Sequence, residues 1–201
     1  MSAPASASAH PLLLKRVGAV EGFPLRRSAD ERFGVSPDDP VLGLSQDLAD
    51  DVRAWAAGNA DGTAELAARL AAELGPEWVL RCHDERHDIV HVVCRQCGGF
   101  HWRAEVHPPF ELTRVIQVRG EYGYWPLRSG GFDFAPDDPV VGLGLSQGLV
   151  DGLYAWDRSV RGLVVGGADR DVVAATGARL AGMLASELGA SWRVEYRGTE
   201  H

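Results

Sequence analysis

The sequence predicts an α+β fold: an internally duplicated strand–helix–helix–strand unit, with a central β-hairpin that carries a C-x-x-C turn. Three observations predict it. A series of residues recurs in one order in the two halves, at offsets running from 99 (Pro37 and Pro136) to 114 (Trp78 and Trp192). Each half holds two stretches with apolar residues at helical spacing. Between the halves, Val92-Val93 leads into Cys94-Arg95-Gln96-Cys97-Gly98-Gly99 and then Phe100.

The elements follow in order. A first strand is expected over 12–20 and its counterpart over 112–119. Pro24-Leu25-Arg26 matches Pro126-Leu127-Arg128, and Pro37-Asp38-Asp39-Pro40-Val41 matches Pro136-Asp137-Asp138-Pro139-Val140. Ser45 and Ser146 are N-cap candidates, because a hydroxyl there can accept an orphan amide hydrogen bond. Leu48, Val52 and Trp55 then recur at helical spacing, as do Leu149, Leu153 and Trp156. A second amphipathic helix carries Leu66, Leu70 and Leu74 in one half, and Leu180, Met183, Leu184 and Leu188 in the other. Gly75 and Gly189 are placed to end these helices in a left-handed conformation. The segments 78–82 and 192–196 read as strands. A four-stranded sheet built from both copies would leave fewer open edges than either alone. The expected boundaries are 1–10 for a disordered tail, 11–83 for the first repeat, 84–107 for the Cys/His-rich hairpin and 108–201 for the second repeat.

The unit resembles a set of small uncharacterised bacterial proteins. The shared pattern is a Pro-Leu entrance, a Leu-Ser-x-x-Leu helix with a Trp, and a Glu-Leu-Gly helix end before a short strand. Here it stands at Pro24-Leu25, Leu44 to Trp55 and Glu73-Leu74-Gly75, and again at Pro126-Leu127, Leu145 to Trp156 and Glu187-Leu188-Gly189. The resemblance implies a fold unit and carries no activity with it.

Composition narrows the class. Apolar residues make up 45% and charged residues 24%, which excludes collagen-like and disordered chains. A net charge of −8 repels nucleic acid. No apolar run reaches the ~18 residues of a membrane span, and 1–9 lack the basic start of a signal peptide. Three cysteines, an odd number, fit a cytoplasmic protein better than a disulfide framework.

All three cysteines and five of the seven histidines fall between Cys82 and His107. A strand, a C-x-x-C-G turn and a returning strand over 100–106 form the pattern of a zinc knuckle, in which the turn aims both sulfurs inward. Cys94 and Cys97 are therefore the expected metal ligands, with His101 the third because it stays beside the turn. A structural zinc needs four ligands. Cys82 aligns with Tyr196 and is expected to lie at the far end of the hairpin, ~15 Å away at ~3.3 Å per residue. His83, His87, His107, water or a second chain remain for the fourth place. A glycine-rich hairpin with two reduced thiols fits the same residues. Thioredoxin-like chemistry is disfavoured, because it places the first cysteine at a helix N-terminus. His83-Asp84-Glu85-Arg86-His87 lacks the Glu of H-E-x-x-H and reads as a turn. The Asp38-Asp39 and Asp137-Asp138 pairs read as turn and helix-start residues.

Two functions fit. One is a small acidic cytoplasmic protein-binding module, immunity- or regulator-like, with a structural zinc and a basic protein partner drawn by steering. The other is a zinc-dependent enzyme using Cys94, Cys97 and His101 plus water, with Glu105 as general base. Neither calls for a nucleic acid or a membrane.

Overall fold

The computed structural model describes residues 10–16, 23–27, 34–58, 62–101 and 112–200. The chain divides into two compact units, 1–104 and 105–201. The first begins with three strands, β1 (His10–Leu14), β2 (Leu25–Arg27) and β3 (Gly34–Val35). A single 3-10 turn follows at Pro40–Leu42, then α1 (Gln46–Ala56), α2 (Thr63–Glu73) and β4 (Trp78–Asp84). Two more strands, β5 (Ile89–Val93) and β6 (Phe100–His101), complete a sheet of order β3-β2-β1-β4-β5-β6. The second unit runs β7 (Val115–Glu121), β8 (Leu127–Ser129), β9 (Phe132–Phe134), α3 (Gln147–Val164), α4 (Arg170–Leu188) and β10 (Arg193–Glu200), with sheet order β10-β7-β8-β9.

The α+β class holds, with two corrections. Each unit opens with three strands rather than one: the Leu-Arg of each Pro-Leu-Arg stretch starts strand β2 or β8, and a further short strand, β3 or β9, pairs with it. Nor do the halves share a sheet. After its two helices the chain returns to pair in parallel with the first strand of its own unit, β4 with β1 and β10 with β7. Each half thus satisfies its own ladder. The first strands also differ from their expected bounds: β1 has ended by Lys15, and β7 begins at Val115.

The helices form where the spacing places them. Ser45 and Ser146 cap α1 and α3, accepting from Leu48 N–H and Leu149 N–H at 3.4 Å. Leu48, Val52 and Trp55 are buried, and so are Leu149, Leu153 and Trp156. The indole N–H of Trp55 donates to Thr63 Oγ1 at 2.9 Å, and that of Trp156 to the Val173 carbonyl at 2.8 Å. In both units the first helix is therefore tied to the start of the second. At the far end of α2, Glu73 holds Ser45; at the far end of α4, Glu187 holds Ser146.

Two local expectations fail. Gly75 has no positive φ; Leu74 ends α2 in an extended conformation, and Pro76 keeps the preceding residue extended as well. Gly189, with no proline after it, does take a positive φ of 74°. Met183 is exposed, its Sδ accepting from Arg179. Strand β10 carries a bulge between Tyr196 and Thr199, with Gly198 at φ 77°. No helix among the described residues is long and apolar enough to cross a membrane.

Candidate metal centre

Of the hairpin expected over 84–107, the described part is β5 and β6, and it joins β4 to extend the first sheet. β5 pairs with β4 in the register Arg81↔Val92, Cys82↔His91, His83↔Val90 and Asp84↔Ile89. β6 returns along β5 with only two pairs, Val92↔His101 and Val93↔Phe100. The connection between them is the C-x-x-C turn. Cys94 N–H donates to the Gly99 carbonyl at 2.9 Å, and Gly98 N–H donates to the Cys94 carbonyl at 2.8 Å. Gly98 has φ 75°, and a Cβ there would stand 2.9 Å from the Cβ of Ala68 on α2. Only glycine meets both demands, so the turn rests closely on the helix that backs it.

This turn brings together the three side chains expected to do so. Cys94 Sγ, Cys97 Sγ and a ring nitrogen of His101 lie within 4.8 Å of one another, each half-buried. Cys97 Sγ is 3.4 Å from His101 Nε2. Two tetrahedral ligands at about 2.3 Å (sulfur) and about 2.0 Å (nitrogen) from one ion stand about 3.5 Å apart, so the pair is spaced for a shared zinc. Gly99 N–H donates to Cys97 Sγ at 3.3 Å, the kind of amide contact that supports a ligating thiolate. No disulfide joins any of the cysteines.

The other candidates are engaged elsewhere. Cys82 is buried on β4 and outside the cluster. Burial, reinforced by the negative Asp84, pushes its thiol up to about 12, so the thiolate a metal requires is suppressed. His83 Nε2 is 3.2 Å from Asp88 Oδ1. His87, also buried, donates from Nδ1 to Asp84. Residues 85–88 are a turn, so the two histidines of the pseudo-metalloprotease motif do not share a helix face. Glu105, His107 and the rest of the strand expected over 100–106 beyond His101 lie outside the described residues.

Asp84, His87 and His91 form a polar group on β4, β5 and the turn between them that the sequence reading did not assemble. Asp84 accepts from the backbone N–H of Arg86 at 2.9 Å and of His87 at 3.3 Å, besides the His87 ring. His91 Nε2 is 4.0 Å from the same carboxylate, and its buried ring stacks on Phe100 at 4.4 Å between centroids. Burial alone would raise the Asp84 pKa. The nearby His91 ring, the hydrogen bonds from His87 and the charge of His87 outweigh it, holding the carboxyl well below the usual range. Phe100, the residue before His101, thus stacks on a ring that neighbours this carboxylate. The period-2 pattern of Asp84 and His91 across a β-hairpin register was the available signal, but it required the register first.

Compared with known protein families, with curated proteins and with solved structures, the chain matches none.

Proposed function

We propose that the chain is a small acidic, cytoplasmic protein-binding module whose hairpin is stapled by a structural zinc held by Cys94, Cys97 and His101. The observation that carries this reading is where the three ligand atoms sit. Cys94 closes β5 and His101 lies in β6, a strand of two residues with two ladder pairs. Such a strand has little to hold it in place. An ion bonded to both ends and to the turn supplies what the ladder lacks, and ligation and folding become one equilibrium.

Duplication is part of the same proposal. The recurrent residues, the parallel return of β4 and β10 and the paired Ser–Glu and Trp contacts support descent from one unit, akin to the small bacterial proteins with that pattern. The charge of −8 suits a basic protein partner. On α1, Asp47, Asp50 and Asp51 lie along 47–51, with Asp38 nearby and bonded to Arg53.

One observation favours a second reading: three ligands come together among the described residues, which is the ligand count of a catalytic zinc with water in the fourth place. Elemental analysis of the purified chain, followed by chelation, separates the two. Under the structural reading one zinc accompanies each chain, and its removal lowers the melting temperature and frays the short strand β6 while the rest of the sheet persists. A catalytic zinc would leave with the fold intact. A chain without zinc that melts identically with and without chelator would end both.

A further inference from the structure

The same turn that offers a zinc site also holds two thiols close enough to consume each other. We infer that Cys94 and Cys97 form a site of reversible thiol oxidation, at which a hydroperoxide converts the metal-binding pair into a disulfide and empties the site. This rests on the zinc reading above.

The geometry supplies each requirement. The two sulfurs lie within 4.8 Å, so a disulfide of about 2.05 Å needs a closure of about 3 Å at most. The residues between and after them turn without helix, and Gly98 already occupies a conformation outside the reach of other residues. Both cysteines are half-buried and hence reachable by a small oxidant. Cys82 is the contrast: it is fully enclosed on β4, across from His91. Its thiol is shielded from the same chemistry, so the chain has one reactive pair and one silent cysteine.

The reaction balances as follows. One ligating thiolate attacks a peroxide oxygen, the O–O bond breaks, and a sulfenic acid forms with release of hydroxide or alkoxide. The second thiolate attacks that sulfur, expelling hydroxide and closing the S–S bond. Two electrons leave the sulfur pair and reduce the peroxide, and two protons from solvent complete the water or alcohol. The zinc loses both thiolates at once, and His101 alone cannot retain it. A thiol reductant reverses the step.

The test uses the full chain isolated with its zinc and treated with hydrogen peroxide. Free zinc is read by a metallochromic dye, thiols by titration in denaturant, and the linkage by peptide mass mapping. The expected result is one zinc released for each pair of thiols lost, a Cys94–Cys97 disulfide, and Cys82 still reduced. Dithiothreitol should then restore zinc binding, and Cys82→Ser should behave as the parent does. Zinc retained through oxidation, or released with the pair driven to sulfinic acid and no disulfide, overturns the inference while leaving the zinc site standing. A chain that never held zinc overturns the site itself, and the coupling with it.

Discussion

Glu187, one residue from the end of α4, holds Ser146 at the start of α3: its carboxylate accepts from the Ser146 amide at 2.8 Å and from the hydroxyl at 2.5 Å. Glu73 does the same for Ser45, at 2.8 and 2.9 Å. Each serine caps its own helix with the oxygen that it presents to the glutamate, so one contact fixes a helix start and the packing of a helix pair. Removing the serine hydroxyl should cost about 0.5–2 kcal/mol for the cap. Ser146→Ala and Glu187→Ala should therefore be non-additive in denaturant titrations of the full chain, because both remove the hydroxyl–carboxylate bond, although the amide contact survives Ser146→Ala. Fully additive effects would mean that the two act independently.

Gly98 should be the least replaceable glycine of the metal turn. Gly43 has a similar positive φ, 65°, with nothing near its missing Cβ, whereas Gly98 also faces Ala68. Gly43→Ala should cost about 1–2 kcal/mol for the left-handed conformation alone. Gly98→Ala adds an overpacking cost of about 1–3 kcal/mol and should weaken zinc binding besides. Equal losses of stability and unchanged zinc affinity in the two variants would refute the close seating of the turn on α2.

Thiol chemistry should sort the cysteines. With zinc removed, a thiolate-selective reagent near pH 8 should label Cys94 and Cys97 quickly and Cys82 only as the fold opens, because its thiol ionises at about 12. Cys82→Ser should abolish the slow phase and leave zinc stoichiometry unchanged. Loss of zinc in that variant would place Cys82 among the ligands after all.

Acid should weaken the polar group around Asp84. The Asp84 pKa is lower in the folded chain than in the unfolded one, so its contribution is complete above the ordinary carboxylate range and is lost as pH falls from there through the lowered folded value. Asp84→Asn should cost about 1.5–3 kcal/mol near neutrality, the worth of hydrogen bonds to a charged group. The gap between variant and parent should narrow steadily in acid. A gap that stays constant with pH would show that the carboxylate charge contributes nothing.

What could be read from the residues depended on how local each cause was. The caps at Ser45 and Ser146 and the buried stripe of Leu149, Leu153 and Trp156 are set within one or two turns of chain, and they were legible. So was the cluster of Cys94, Cys97 and His101, since eight consecutive residues contain it. Strands β2, β3, β8 and β9 have two or three residues each, too few for an alternation to show. The left-handed end expected at Gly75 was displaced by the single proline beyond it. The return of β4 to β1 joins residues far apart in the chain, and only tertiary pairing reveals that each half closes its own sheet. Glu73 and Glu187 were visible as matched residues, but their partners lie 28 and 41 positions earlier.

The bulge in β10 has a consequence for how the chain behaves in a crowd. In the first unit, the side of β4 turned away from β1 is covered by β5, whereas β10 ends its sheet among the described residues. An eight-residue rim of open amides and carbonyls is a template on which other chains can grow into fibrils. The bulge after Tyr196 interrupts that template halfway along, with Arg193 and Glu195 setting opposite charges before it and Arg197 within it. An approaching strand finds a register broken by the bulge, one of the devices by which edge strands resist pairing with other chains.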